Sequence, residues 1–157
     1  YSSIAVSILN MLWIYVWAQG SKAALVGALF ICLALFAALY VLWLSTHDTT
    51  ETGWMYYIVR NIVSFYLGWV LVATLLNFGV VLVYTLGFPQ STFVTVFWIL
   101  APLSMILITY LVYRQDQMHS LKSFIGFWLA GLWGLGGALA STTGSRVSQN
   151  IASAIGA

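Results

Sequence analysis

Residues 57–86 read YIVRNIVSFYLGWVLVATLLNFGVVLVYTL, a stretch of thirty residues with one charge, Arg60. As a helix it would be about 45 Å long, against about 30 Å for the hydrocarbon core of a bilayer. It therefore crosses a membrane with a tilt or begins outside the core, with Arg60 and Asn61 at the interface and roughly 62–84 in lipid. The stretch lacks the alternation of a barrel strand, and an open strand cannot satisfy its backbone in lipid. A membrane-spanning helix is the reading, and the rest of the chain is built around it.

Four further apolar stretches flank this one, at roughly 2–19, 22–45, 91–113 and 121–140. Charge and turn residues collect only between them: Gln19 to Lys22, residues 46–55, Gly87 to Gln90, and Arg114 to Lys122. The expected fold is an all-α integral membrane protein, a bundle of about five transmembrane helices over 1–140. A Ser/Gly/Ala-rich tail, 141–157, follows. In it Val147, Ile151 and Ile155 fall at i, i+4 and i+8, which suits a short interfacial helix; a frayed tail is the alternative. Residue 1 is Tyr, and no basic segment precedes the first span, so that span makes a poor signal peptide. The expectation is that upstream sequence is missing.

Composition narrows the function. The chain of 157 residues is 62% hydrophobic and 5% charged, with a mean hydropathy of +1.00. Ordinary globular domains are about 25% charged, so a soluble enzyme or secreted module is excluded. A scattered net charge of +2 does not suit a nucleic-acid partner. The single cysteine, Cys32, can form neither an internal disulfide nor a Cys-cluster metal site. On the side of residue 1 lie Arg60, Arg114 and Lys122, against Lys22 and Arg146 on the other, which leans the first side towards cytoplasm or matrix. An inner mitochondrial or bacterial inner membrane fits; the organelle itself is not encoded. Trp43, Trp54, Tyr56, Tyr57, Tyr110 and Tyr113 cluster near span ends on one side, where interfacial aromatics settle.

No Asp, Glu, Lys, Arg or His lies well inside any expected span, which argues against pumps, voltage sensors and carboxylate-coupled transporters. The interior polar residues are amides. Asn10 and Asn77 sit on spans running in the same direction and at similar depth, so they could hydrogen-bond across helices for about 0.6–2 kcal/mol. Alternatively they face a ligand cavity. Gly126, Ala130, Gly134 and Ala138 recur every four residues along the fifth span, a smooth stripe for helix packing within the fold or with a partner. Pro102, in the middle of the fourth span, removes a helix hydrogen bond and favours a kink. His47, Asp48 and Glu51, with Asp116 and His119, lie in loops on one side. They could form a surface metal site, but their spacing matches no ligand motif and solvated loop ends explain them. Leu107, Tyr110 and Arg114 fit a loose sterol-contact pattern that a helix end with an aromatic anchor fits equally. No nucleophile–base pair, phosphate loop or HExxH is present, so no catalysis is expected.

Two segments carry a resemblance. Leu9-Asn10-Met11-Leu12-Trp13 resembles the Leu-Asn-x-x-Trp motif in the third helix of the TspO/translocator family, the tryptophan-rich sensory proteins. Phe65 to Asn77 resembles that family's fifth-helix motif, matching at Tyr66, Leu67, Trp69, Val70, Ala73, Thr74, Leu76 and Asn77. The resemblance covers roughly residues 4–84. The chain departs at Phe65, where the family has Pro, and at the apolar run Val80 to Val83, where the family often has Arg. It also lacks a counterpart to the family's first two helices and its Trp-Pro loop, and the spans 91–113 and 121–140 extend beyond the family core. The resemblance implies that Asn10, Trp13, Trp69, Ala73, Thr74 and Asn77 lie near a cavity for a porphyrin, a sterol or a bound lipid.

Two functions compete. One is a non-catalytic, TspO-like membrane protein binding an apolar or tetrapyrrole ligand. The other is an accessory structural subunit of a larger membrane complex, such as a respiratory or photosynthetic assembly. Both expect membrane lipids as surroundings; the second expects membrane-protein partners, and a homo-oligomer is the further option.

Overall fold

The computed structural model describes residues 2–46, 53–115 and 122–155, and the side chains of 3–46, 53–114 and 122–140. These residues form five helices: α1 Ser2–Ala18, α2 Lys22–Ser45, α3 Trp54–Val80, α4 Gln90–Gln115 and α5 Ile125–Ile155. Among the described residues there is no strand. This is an all-α membrane protein. Helix α2, α3 with the turn that follows it, and α4 are each long and apolar enough to cross a bilayer. Helix α1 has 17 residues, about 25 Å, a little under the hydrocarbon thickness. The apolar part of α5 is similarly short, Ile125–Ala140, and its helix runs on into the tail as far as Ile155.

Local sequence explains the joints. Gly20, at φ +63°, turns α1 into α2, and the Ser21 side chain caps α2 by accepting from the Ala24 backbone N–H at 3.2 Å. Helix α3 ends in a π-helical turn, Val81–Thr85, in which the Leu86 N–H reaches back to the Val81 carbonyl at 3.2 Å. Gly87, at φ +74°, then reverses the chain ahead of Pro89 and α4. Helix α4 continues through Pro102 without a break in its assignment.

Helix α2 lies between α1 and α3, while α3 packs against α2, α4 and, most extensively, α5. The α2 stripe Ala28, Cys32, Leu35, Leu39 and Trp43 is fully buried, at the spacing of one helix face. Glycines set the closest approach. A Cβ on Gly68 would lie 2.4 Å from the Phe127 carbonyl oxygen, and one on Gly126 would lie 2.1 Å from that of Asn61. Because lipid gives helices no hydrophobic reason to associate, such backbone proximity is a main source of cohesion. Asn61 reinforces it: its Nδ2 donates to the Tyr57 and Lys122 carbonyls at 2.8 and 2.9 Å, and its Oδ1 accepts from the Gly126 N–H at 2.9 Å.

One end of the bundle differs from the sequence expectation. Arg60 and Trp43, expected at the interface, are both buried. The Arg60 guanidinium lies 4.2 Å from the Trp43 ring centroid and 5.2 Å from that of Tyr56, and it donates to the Tyr56 hydroxyl. Trp43 in turn meets Phe124 edge-on at 5.2 Å, and Phe124 stacks on Phe127 at 4.5 Å. Trp43 occupies the α2 core stripe, and the cation settles over its ring face because that face is negative. Trp54, Tyr110 and Tyr113 do stay exposed.

Candidate functional site

The six residues singled out by the motifs do not converge on one cavity. Trp69 and Ala73 line an open groove between α3 and α5, with Val72 and Leu76 beside them and Trp133, Gly134, Gly137 and Ala138 opposite. Its volume is about 360 Å³. Trp69 is 43% exposed and Trp133 74%, so two indoles stand at the groove while its α5 side is built of small residues. Gly134 sits close against the Val72 side chain: an added Cβ would meet it at 3.0 Å.

Thr74 and Asn77 point the other way, towards α2. The Thr74 hydroxyl donates to the Val70 carbonyl at 2.7 Å and lies 3.2 Å from Cys32 Sγ. Asn77 Nδ2 donates to the Ala73 carbonyl at 2.8 Å and lies 4.0 Å from the same sulfur, while Asn77 Oδ1 is buried without a partner. The cross-helix bond expected between Asn10 and Asn77 is not formed. Helix α1 packs extensively on α2 and at most marginally on α3, so equal depth does not bring the two amides together. Asn10 is half-buried on α1, and Trp13 packs against the main core with its Nε1 buried and unpaired.

The small-residue stripe of α5 divides among neighbours. Gly126 meets Asn61 of α3, Ala130 is fully buried, Gly134 meets Val72, and Ala138 lies in the groove. Gly131, just off the stripe, seats Met105 of α4, whose Cε would lie 2.2 Å from an added Cβ. Trp133 was missed as a groove residue. Its signal was a large aromatic set among small residues, Trp133-Gly134-x-x-Gly137, where a packing stripe alone has no use for an indole. Cys32 was missed as the partner of Thr74, since only the α2–α3 contact pairs them.

The groove walls offer no acid, base or nucleophile among the lining residues. They can stack on a ligand and exclude lipid from it, but not polarise it. Among the described residues no three His, Cys, Asp or Glu cluster as metal ligands. His47, Asp48, Glu51, Asp116 and His119 lie outside the described residues.

Comparison with known proteins now settles the family. The family model described as TSPO-like protein matches residues 1–156. The chain belongs to that family. The match also corrects the extent of the resemblance: it runs beyond 4–84, so α4 and α5 fall within the family pattern and are not additions to it. No curated protein and no solved structure matches this TSPO-like chain.

Proposed function

We propose that this TSPO-like protein is non-catalytic and binds a flat apolar ligand, of tetrapyrrole or sterol type, in the groove between α3 and α5. The observation that carries the reading is the presence of Trp69 and Trp133 in one lining with the small residues Ala73, Gly134, Gly137 and Ala138. Two indoles and a smooth floor make a slot suited to a planar molecule, and a volume of about 360 Å³ falls in the small-molecule range. The absence of ionisable groups from that lining favours binding over chemistry.

The test is a titration of protoporphyrin, and separately of cholesterol, into the full chain in nanodiscs, read by quenching of tryptophan emission. Trp133→Ala should weaken binding about tenfold, the worth of one stacked indole. Thr74→Ala, on the opposite face of α3, should leave it unchanged. Equal binding by wild type and Trp133→Ala would sink the proposal. The accessory-subunit reading makes a different forecast. Gently extracted from its native membrane, the chain would then migrate only within a large complex, with no small-molecule mass attributable to it.

A further inference from the structure

Asn10 differs from the other asparagines whose side chains the structure describes. Asn61 and Asn77 each turn Nδ2 back to the carbonyl four residues earlier, that of Tyr57 and that of Ala73, at 2.8 Å. Asn10 makes no such bond to Val6 and has no other hydrogen bond among the described residues. It is the ninth of the 17 residues of α1. In a helix across the bilayer it therefore lies near the midplane, where acyl chains offer neither donor nor acceptor. A half-buried amide at that depth finds its partner on another helix.

Helix α1 presents two seams. Val6, Leu9, Trp13 and Val16 face α2: Val6 belongs to the main core, Leu9 and Trp13 pack against it, and Val16 lies 3.6 Å from the Cβ position of Gly27. Ser3, Ser7, Asn10, Ile14 and Trp17 form the other, at alternating steps of four and three, the spacing along which helices pair. All of these but the half-buried Asn10 are exposed. The Ser7 hydroxyl donates inward to the Ser3 carbonyl at 3.1 Å. That end of the seam is thus small and smooth, as close helix approach in lipid requires.

We propose that this second seam is the contact between two copies of the chain, α1 lying parallel to α1 about a twofold axis along the membrane normal. Self-complementarity selects the occupant. A carboxamide is both donor and acceptor, so each Asn10 Nδ2 donates to the Oδ1 of its counterpart. Copies inserted in one orientation hold the two amides at one depth, and a twofold axis brings like residue to like. A different membrane protein would have to offer an amide at the same level, whereas a second copy does so by symmetry. Helix α2 separates this seam from α3 and the α3–α5 groove, so the proposal is independent of the ligand reading.

The test uses the full chain, labelled with a fluorescent donor on one sample and an acceptor on another, mixed in liposomes and diluted with lipid. Wild type should associate. Asn10→Leu should need about a tenfold higher protein-to-lipid ratio for the same energy transfer, the worth of one interhelical amide pair. Because Asn10 has no bond within the chain, that variant should stay monodisperse in mild detergent. Under a mild oxidant, Ile14→Cys on the seam should give a disulfide-linked dimer. Ile8→Cys, on another face at 59% exposure, should not. Wild-type energy transfer no higher than chance proximity overturns the proposal, as does a chain that associates only with a different protein in its native membrane. Association unaffected by Asn10→Leu, or cross-linking stronger at Ile8→Cys, does the same. Loss of monodispersity in Asn10→Leu would place the partner of the amide inside the chain and overturns it too.

Discussion

The two faces of α3 reverse the arrangement of a helix in a water-soluble protein. The inner face, Arg60, Ser64, Leu67, Leu71 and Thr74, is buried yet carries a cation and two hydroxyls. The outer face, Ile58, Ile62, Phe65, Trp69 and Leu76, is wholly apolar and exposed. In water the hydrophobic effect would turn these faces round. In lipid the apolar face gains nothing by hiding, so burial goes to groups that need partners and to residues small enough to let backbones meet. The Ser64 hydroxyl donates to the Asn61 carbonyl at 3.1 Å, and Thr74 has its bond to Val70. The outer face is left to lipid.

If backbone proximity holds the inner side together, Gly68 should be the most sensitive position. Gly68→Val places carbon against the Phe127 carbonyl, which no rotamer change can relieve. It should cost about 3 kcal/mol or more, seen as loss of the monodisperse peak on size exclusion in mild detergent. Unchanged elution and unchanged resistance to SDS would break the comparison at its strongest point.

Asn61 should come next, because it bridges α3 to the start of α5. Asn61→Leu removes three bonds at about 0.6 kcal/mol each, so unfolding in SDS should come about 2 kcal/mol earlier. A change below about 0.5 kcal/mol would mean that glycine contact alone holds the crossing.

Asn77 sharpens the contrast. It is buried like the inner-face residues, but its Nδ2 has only the local Ala73 carbonyl at 2.8 Å and a long contact of 4.0 Å to Cys32 Sγ, and its Oδ1 is unpaired. Asn77→Leu should stay within about 0.5 kcal/mol of wild type in the same titration, since losing a bond offsets removing an unsatisfied group. A loss as large as that of Asn61→Leu would show that the amide near Cys32 matters more than its contacts indicate.

These contrasts mark what could be read in advance. Helix number and approximate bounds follow from long apolar runs interrupted at Gly20, residues 46–55, Gly87 to Gln90 and Arg114 to Lys122, because lipid penalises an unpaired backbone more than almost any side chain. Trp69 and Ala73 could be named from their motif, and both line a groove. Thr74 and Asn77 stand in the same motif yet face α2: Thr74 lies about 100° round the helix from Ala73, and Ala73 is at the groove's edge, so that Asn77 about 40° further round passes to the α2 side. Arg60 could be placed near a span end by its charge, but its burial could not be read there, because its cover comes from Trp43 on another helix.

By itself the sequence determined that this chain is an α-helical membrane protein with TSPO-like motifs. Both follow from local patterns, apolar length and residue spacing along one helix. Which helices touch was decided only in the tertiary structure. In lipid that choice depends on where Gly68 and Gly126 let backbones close and on which polar groups find each other across the gap. Neighbouring helices therefore fixed the α3–α5 seam, the meeting of Trp69 and Trp133 in one groove lining and the separation of Asn10 from Asn77, none of which any single helix encodes.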